Sequence, residues 1–164
     1  MKLYNFLNDI LKEWTKNLHT VKDIIYKLVI CNDERFVVVT NNKCLWFIDK
    51  DDFLLDYSKT NNKYIGNENT INSFLIGKSM EKLNFDHIEI SNDKKLAVFI
   101  SHDDTEKKVF INYDFIKYFE YENMFVYGSK GDISISPVFF YEIIKNEYME
   151  DEEVLRIIVM PFLP

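Results

Sequence analysis

The sequence predicts a single, β-rich α+β domain. Three observations predict it: an amphipathic stripe opens the chain, short β-rich runs separated by Asn/Asp turns fill most of the remainder, and a capped helix interrupts the later runs. Read coarsely, both ends show a helix followed by three strands. Residues 1–164 therefore form one domain of two helix-plus-meander halves, about 1–70 and 71–164, with no exact sequence repeat between them.

Residues 3–18 carry the clearest helix. Leu3, Phe6, Leu7, Ile10, Leu11, Trp14 and Leu18 recur at i, i+3, i+4 and i+7, with Asn5, Asn8, Asp9, Lys12, Glu13 and Lys16 opposite. Such a stripe is a core face. Strands are expected at 24–31, 34–40 and 43–49, joined by two-residue turns at Asn32-Asp33 and Asn41-Asn42, since Asn and Asp tolerate positive φ. The runs 36–40 and 44–48 are apolar on both alternating faces, which calls for cover on both sides. Residues 50–70 are polar and read as a loop or joint. In 71–83, Ile71, Leu75, Met80 and Leu83 allow a helix, which Gly77 weakens. A hairpin follows at 87–91 and 94–101 around Asn92-Asp93, then a strand at 107–111. Asn112 caps a helix at 113–120 with Asp114 in its first turn, and strands close the chain near 123–129, 132–142 and 154–163.

Composition bounds the function. At 47% hydrophobic and 16% aromatic, the chain has enough apolar material for a core. Ala97 is the only alanine, and Arg35 and Arg156 are the only arginines; A+T-rich coding DNA, as in low-GC bacteria and their phages, explains the skew. A net charge of −7 disfavours DNA binding by the whole surface, because phosphate contacts want a basic surplus. It suits docking on a basic partner. No run reaches the ~18–20 apolar residues of a membrane span, and the first apolar stretch is broken by polar residues, so a cytoplasmic protein without membrane association is expected. Cys31 and Cys44 fall at opposite ends of one predicted strand, on the order of 15 Å apart, which predicts free thiols.

The residues of catalysis are not clustered. His19, His87 and His102 are scattered, Asp51-Asp52 and Asp103-Asp104 read as turns, and Ser101-His102 lacks a glycine elbow. Glycines at 66, 77, 128 and 131 fit no phosphate-binding loop. No catalytic residue, metal or cofactor is therefore expected; an enzyme would need a polar pocket around His102 or His87. Two other features stand out. The run 147–153, with Glu150, Asp151, Glu152 and Glu153 at its core, reads as a solvated loop between strands or as an acidic docking patch. The end of the chain, 157–164, is apolar throughout: a strand tucked into the sheet, or a hydrophobic lip for a partner's peptide.

That ending resembles the C-terminus of the bacterial replication sliding clamp, where a strand runs into a Met-Pro pair. Val159-Met160-Pro161-Phe162 fits, while Leu163 and Pro164 replace the family's arginine and leucine. The stretch from Ile111 through Asn112, Tyr113 and Asp114 to Phe119 is similar to the family's strand-to-helix entry. Pro137-Val138 is similar to its Pro-Val strand, and Val38 to Leu45 echoes an earlier strand-turn-strand. The match covers about 107–163. It implies a DNA-clamp-like fold, two helix-plus-β-meander units with helices packed on curved antiparallel sheets, with Val159, Met160, Pro161 and Phe162 lining a cleft for motifs of replication proteins, and with the helices facing DNA through Lys12 and Lys16. Asp9 and Glu13 beside those lysines leave that face near neutral, so any DNA contact is weak. An encircling role would require a closed homo-oligomer. The expected function is thus a non-catalytic, phage- or mobile-element-type clamp-like protein binding replication proteins. The alternative is an acidic inhibitor or immunity protein that blocks a nucleic-acid enzyme.

Overall fold

Helix α1 (Leu3–Lys16) forms on the predicted stripe, with Phe6, Leu7 and Ile10 buried, while Leu11 is 47% exposed. The structure, a computed structural model, describes residues 2–16, 27–29, 35–56, 63–64 and 80–163. Trp14, Lys16, 27–29 and 63–64 are described by backbone alone. The architecture is α+β, and the chain divides into two units, 1–76 and 77–164. No described helix is long and apolar enough to cross a membrane.

In the first unit, β1 (Lys27–Val29), β2 (Phe36–Thr40) and β3 (Cys44–Asp49) form an antiparallel meander, and β4 (Lys63–Tyr64) pairs in parallel with β1. Val37, Val38 and Val39 are buried in succession, as are Trp46, Phe47 and Ile48, so these strands are covered on both faces. Helix α1 supplies part of that cover, its Phe6 ring lying 5.2 Å from that of Trp46. The turn lies one residue later than the sequence suggests. Asn41 N–H donates to the Cys44 carbonyl, and the Asn41 side chain accepts from the N–H groups of Lys43 and Cys44. The corner is therefore Asn42-Lys43, with Asn42 at φ 70°. Cys44 is buried and free, and burial pushes its thiol pKa well up; Cys31 lies outside the described residues.

The second unit comprises β5 (Met80–Ser91), β6 (Lys94–Ser101), β7 (Lys108–Asn112), α2 (Tyr113–Ile116), β8 (Phe125–Ser129), β9 (Val138–Lys145) and β10 (Asp151–Val159). Its strands pair antiparallel in the order β10-β9-β8-β5-β6-β7. The β5–β6 hairpin turns on Asn92 and Asp93 at φ 49° and 61°, the two positive values of a type I′ corner. Asn112 caps α2 by accepting from Asp114 N–H, as predicted, but the helix ends at Ile116 rather than 120. Leu96, Ala97, Val98 and Phe99 are all fully buried, so β6 is the centre of the unit. The Phe99 ring meets Phe140 at 5.4 Å, Phe85 at 5.7 Å and Tyr121 at 6.4 Å.

Several strand boundaries differ from expectation, among them the end of β10 at Val159 rather than 163. Met80 and Leu83, whose spacing also allowed a helix, belong to β5; residues 71–79 lie outside the described residues. Strand β9 starts at Val138, not 132, because Asp132 accepts from both the N–H and the hydroxyl of Ser134 and holds a turn there. Strand β10 starts at Asp151, so Asp151, Glu152 and Glu153 of the acidic run are strand rather than loop.

Beyond Val159 the chain crosses to the other edge of its own sheet. Phe162 N–H donates to the Phe110 carbonyl of β7 at 2.7 Å, and Lys94 Nζ sits 4.7 Å from the Phe162 ring. Within residues 77–164 taken by themselves, β10 and β7 are the first and last strands of the order, so these six strands must curve far enough for the segment after β10 to reach β7.

Candidate functional site

Charge is divided unevenly. Residues 1–76 hold 10 acids and 10 bases, whereas 77–164 hold 17 acids and 10 bases, so the whole net charge of −7 falls in the second unit. Its most prominent acidic feature is the tip of the β9–β10 hairpin. Asn146 builds this tip: its N–H donates to the Glu150 carbonyl, its carbonyl accepts from Met149 N–H, and its side-chain oxygen accepts from Tyr148 N–H and Glu150 N–H. Met149 sits at φ 63°, a left-handed value that the four bonds enforce. Tyr148 and Met149 are consequently held outward, 75% and 73% exposed.

Carboxylates flank these two side chains along the chain. Glu147, Glu150, Asp151 and Glu153 are exposed and Glu152 is half-buried. Lys145 Nζ lies 2.6 Å from Asp151 and answers one of them. Down the strand, burial raises the hydroxyl pKa of Tyr127 and Tyr141, and the Glu153 charge raises both further. A braced tip carrying exposed Tyr and Met beside a run of acids has the make-up of an interface anchor: large side chains, little left to order, and a charge that selects the partner.

The other predicted residues lie elsewhere. Val159 is fully buried at the end of β10, so it packs the core and presents nothing to a partner. Met160 is 42% exposed, and Pro161 and Phe162 are half-buried, the latter tied to β7. Strand β10 separates Met160 from the acidic tip by roughly 25 Å at ~3.3 Å per residue, so the apolar end and the acidic run form two places, not one. Lys12 is exposed with Nζ 3.7 Å from Asp9, and the Lys16 side chain lies outside the described residues.

Neither histidine region forms a nucleophile pair. Ser101 is fully buried; its hydroxyl donates to Glu81, and its oxygen accepts from the N–H groups of Asp103 and Asp104. His102 Nδ1 lies 3.1 Å from the Asn84 amide instead. His87 lies between two carboxylates, Nδ1 at 2.7 Å from Asp86 and Nε2 at 3.4 Å from Glu89. Sequence spacing hides this cluster, because a bulge at Asp86 brings two consecutive residues to one side of β5. The hydrogen bond to Asp86 raises the His87 pKa above 6.5, desolvation opposes the rise, and Glu89 adds to it. The proton on His87 therefore favours the folded state below the unfolded-state pKa of about 6.5, and that contribution is lost as pH rises through the higher folded value. An NMR titration is expected to place His87 above 6.5 and to bring it down in Asp86→Asn; a value at or below 6.5 would refute the bridge.

Family models, curated proteins and solved structures yield no match to this chain.

Proposed function

We propose that the chain works by binding rather than catalysis, as an acidic module that covers a basic surface on a protein that handles nucleic acid. The observation that carries this reading is the β9–β10 tip, where Tyr148 and Met149 stand exposed next to a run of carboxylates on a turn braced by Asn146. Concentration of the whole net charge in 77–164 supports it further. The carboxylates would steer encounter with a basic groove, and the two apolar side chains would supply the buried contact. This is the behaviour of an inhibitor or immunity protein. Photo-crosslinking from position 148 in a host lysate should capture a basic nucleic-acid enzyme. The Tyr148→Ala/Met149→Ala pair, or neutralisation of Glu150 to Glu153, should weaken that complex at least tenfold, about 1.4 kcal/mol. Full-strength capture by both variants would dismiss the reading.

A clamp-like role in DNA replication is the second reading. The succession β7, α2, β8, β9, β10 favours it, as a strand, a capped helix and three strands running into Met160-Pro161. Sedimentation separates the two: encirclement of DNA demands a closed ring, and a monomer without DNA association at low salt would end it.

A further inference from the structure

Strand β5 is twelve residues long, but β8 borders it only from Met80 to Leu83. Past Leu83 it pairs with β6 alone, and among the described residues no strand lies on its other side. Where β8 stops, a cleft of about 320 Å³ opens, lined in part by Asn84, Phe85, Glu122 and Phe125. The two-residue corner at Asn92-Asp93 fixes which main-chain groups point into this gap. In a hairpin closed by such a turn, Ser91 and Lys94 form the hydrogen-bonded pair, and alternation makes Glu89/Leu96 and His87/Val98 the next two. Ile88 and Ile90 lie between them, so their N–H and C=O groups face outward.

The side chains along this edge are sorted by chemistry. His87 and Glu89 share one face, with Asp86 brought beside them by the bulge. Ile88 and Ile90 share the other; Ile88 is half-buried and Ile90 is 79% exposed. An added strand would align its own alternate residues with each set.

We propose that the open edge of β5 receives an extended segment of a partner protein in which Lys or Arg alternates with apolar residues. Main-chain bonds to Ile88 and Ile90 hold the segment, its cations face Asp86 and Glu89, and its apolar residues lie against the isoleucines. The carboxylates pick a basic strand over an acidic one, in a unit whose acids outnumber its bases. None of these residues belongs to the hairpin tip, and the proposal does not depend on that reading.

The test uses the full chain and a synthetic ten-residue peptide alternating Lys with Val, followed by fluorescence anisotropy and amide chemical shifts. Binding should perturb residues 84–91, and the peptide with Glu in place of Lys should bind at least tenfold more weakly. Ile90→Pro removes an outward N–H at a position where an edge strand tolerates proline, and should cost at least tenfold while the far-UV spectrum and Tm hold. Should Ile90→Pro disturb the fold, the exposed pair Asp86→Asn/Glu89→Gln gives the same reading: weaker binding and a flatter salt dependence. Unchanged affinity in both variants, shifts confined to 146–153, or a dimer of the chain that Ile90→Pro dissolves would each overturn the proposal, the last by making a second copy the occupant. A Tyr148→Ala/Met149→Ala protein should bind the peptide normally, so failure here and failure of the hairpin reading are told apart.

Discussion

Phe99→Ala is expected to remove about 3–5 kcal/mol from the stability of the second unit, the range for deleting a fully buried aromatic ring. Phe99 is wholly inaccessible and touches three other rings, Phe85, Tyr121 and Phe140, which come from β5, the segment before β8, and β9. No single neighbour can move to fill the space without giving up its own contacts, so the cavity would persist. Trp14 and Trp46 both belong to residues 1–76, so tryptophan fluorescence follows the first unit. Hydrogen exchange at Leu96, Val98 and their neighbours follows the second. A loss of protection under 1 kcal/mol at those amides would show that the aromatic cluster is not the centre of the unit.

Ser101→Ala should cost about 1–3 kcal/mol, and toward the upper end of that range. Glu81 is 6% exposed; one carboxyl oxygen accepts from Ser101 and the other, Oε1, has no partner among the described residues. Removing the hydroxyl would strand the whole carboxyl group inside the protein, where polar groups without partners are expensive. In a Glu81→Leu background the same change should cost much less, because no buried carboxyl group remains to be stranded. A double-mutant cycle by chemical denaturation reads this coupling directly. Additive effects would mean that the two side chains do not depend on each other.

Local chemistry was legible in the sequence wherever short-range physics decides. The Asn92-Asp93 corner, the Asn112 cap and the stripe of α1 depend on neighbours a few residues away, and each forms as predicted. The errors lie where distant packing decides. Met80 and Leu83 have helical spacing, yet Leu83 is buried in β5 against Gly128 of β8, where a Cβ would stand 3.1 Å from Leu83 Cδ1. Asp151, Glu152 and Glu153 look like loop because they are charged. They can be strand because β10 pairs them with Lys145, Ile144 and Ile143, leaving the carboxylates to solvent. Of the candidate site, the acids were visible in the sequence. The role of Asn146 was not, since four hydrogen bonds to one residue depend on a turn geometry that composition does not encode. The gap beside β5 was hidden for a similar reason: it arises from a difference in length between two strands that are far apart along the chain.

The return of Phe162 to Phe110 has a kinetic consequence. The residues that seal the border of the sheet are among the last of the chain, and their partner strand precedes β8, β9 and β10. A contact between such remote positions repays its closure entropy only after the intervening strands have assembled. The seam should therefore form late during refolding, on the order of milliseconds to seconds as for other non-local β structures. Loss of the Phe162 side chain should accordingly speed unfolding far more than it slows folding.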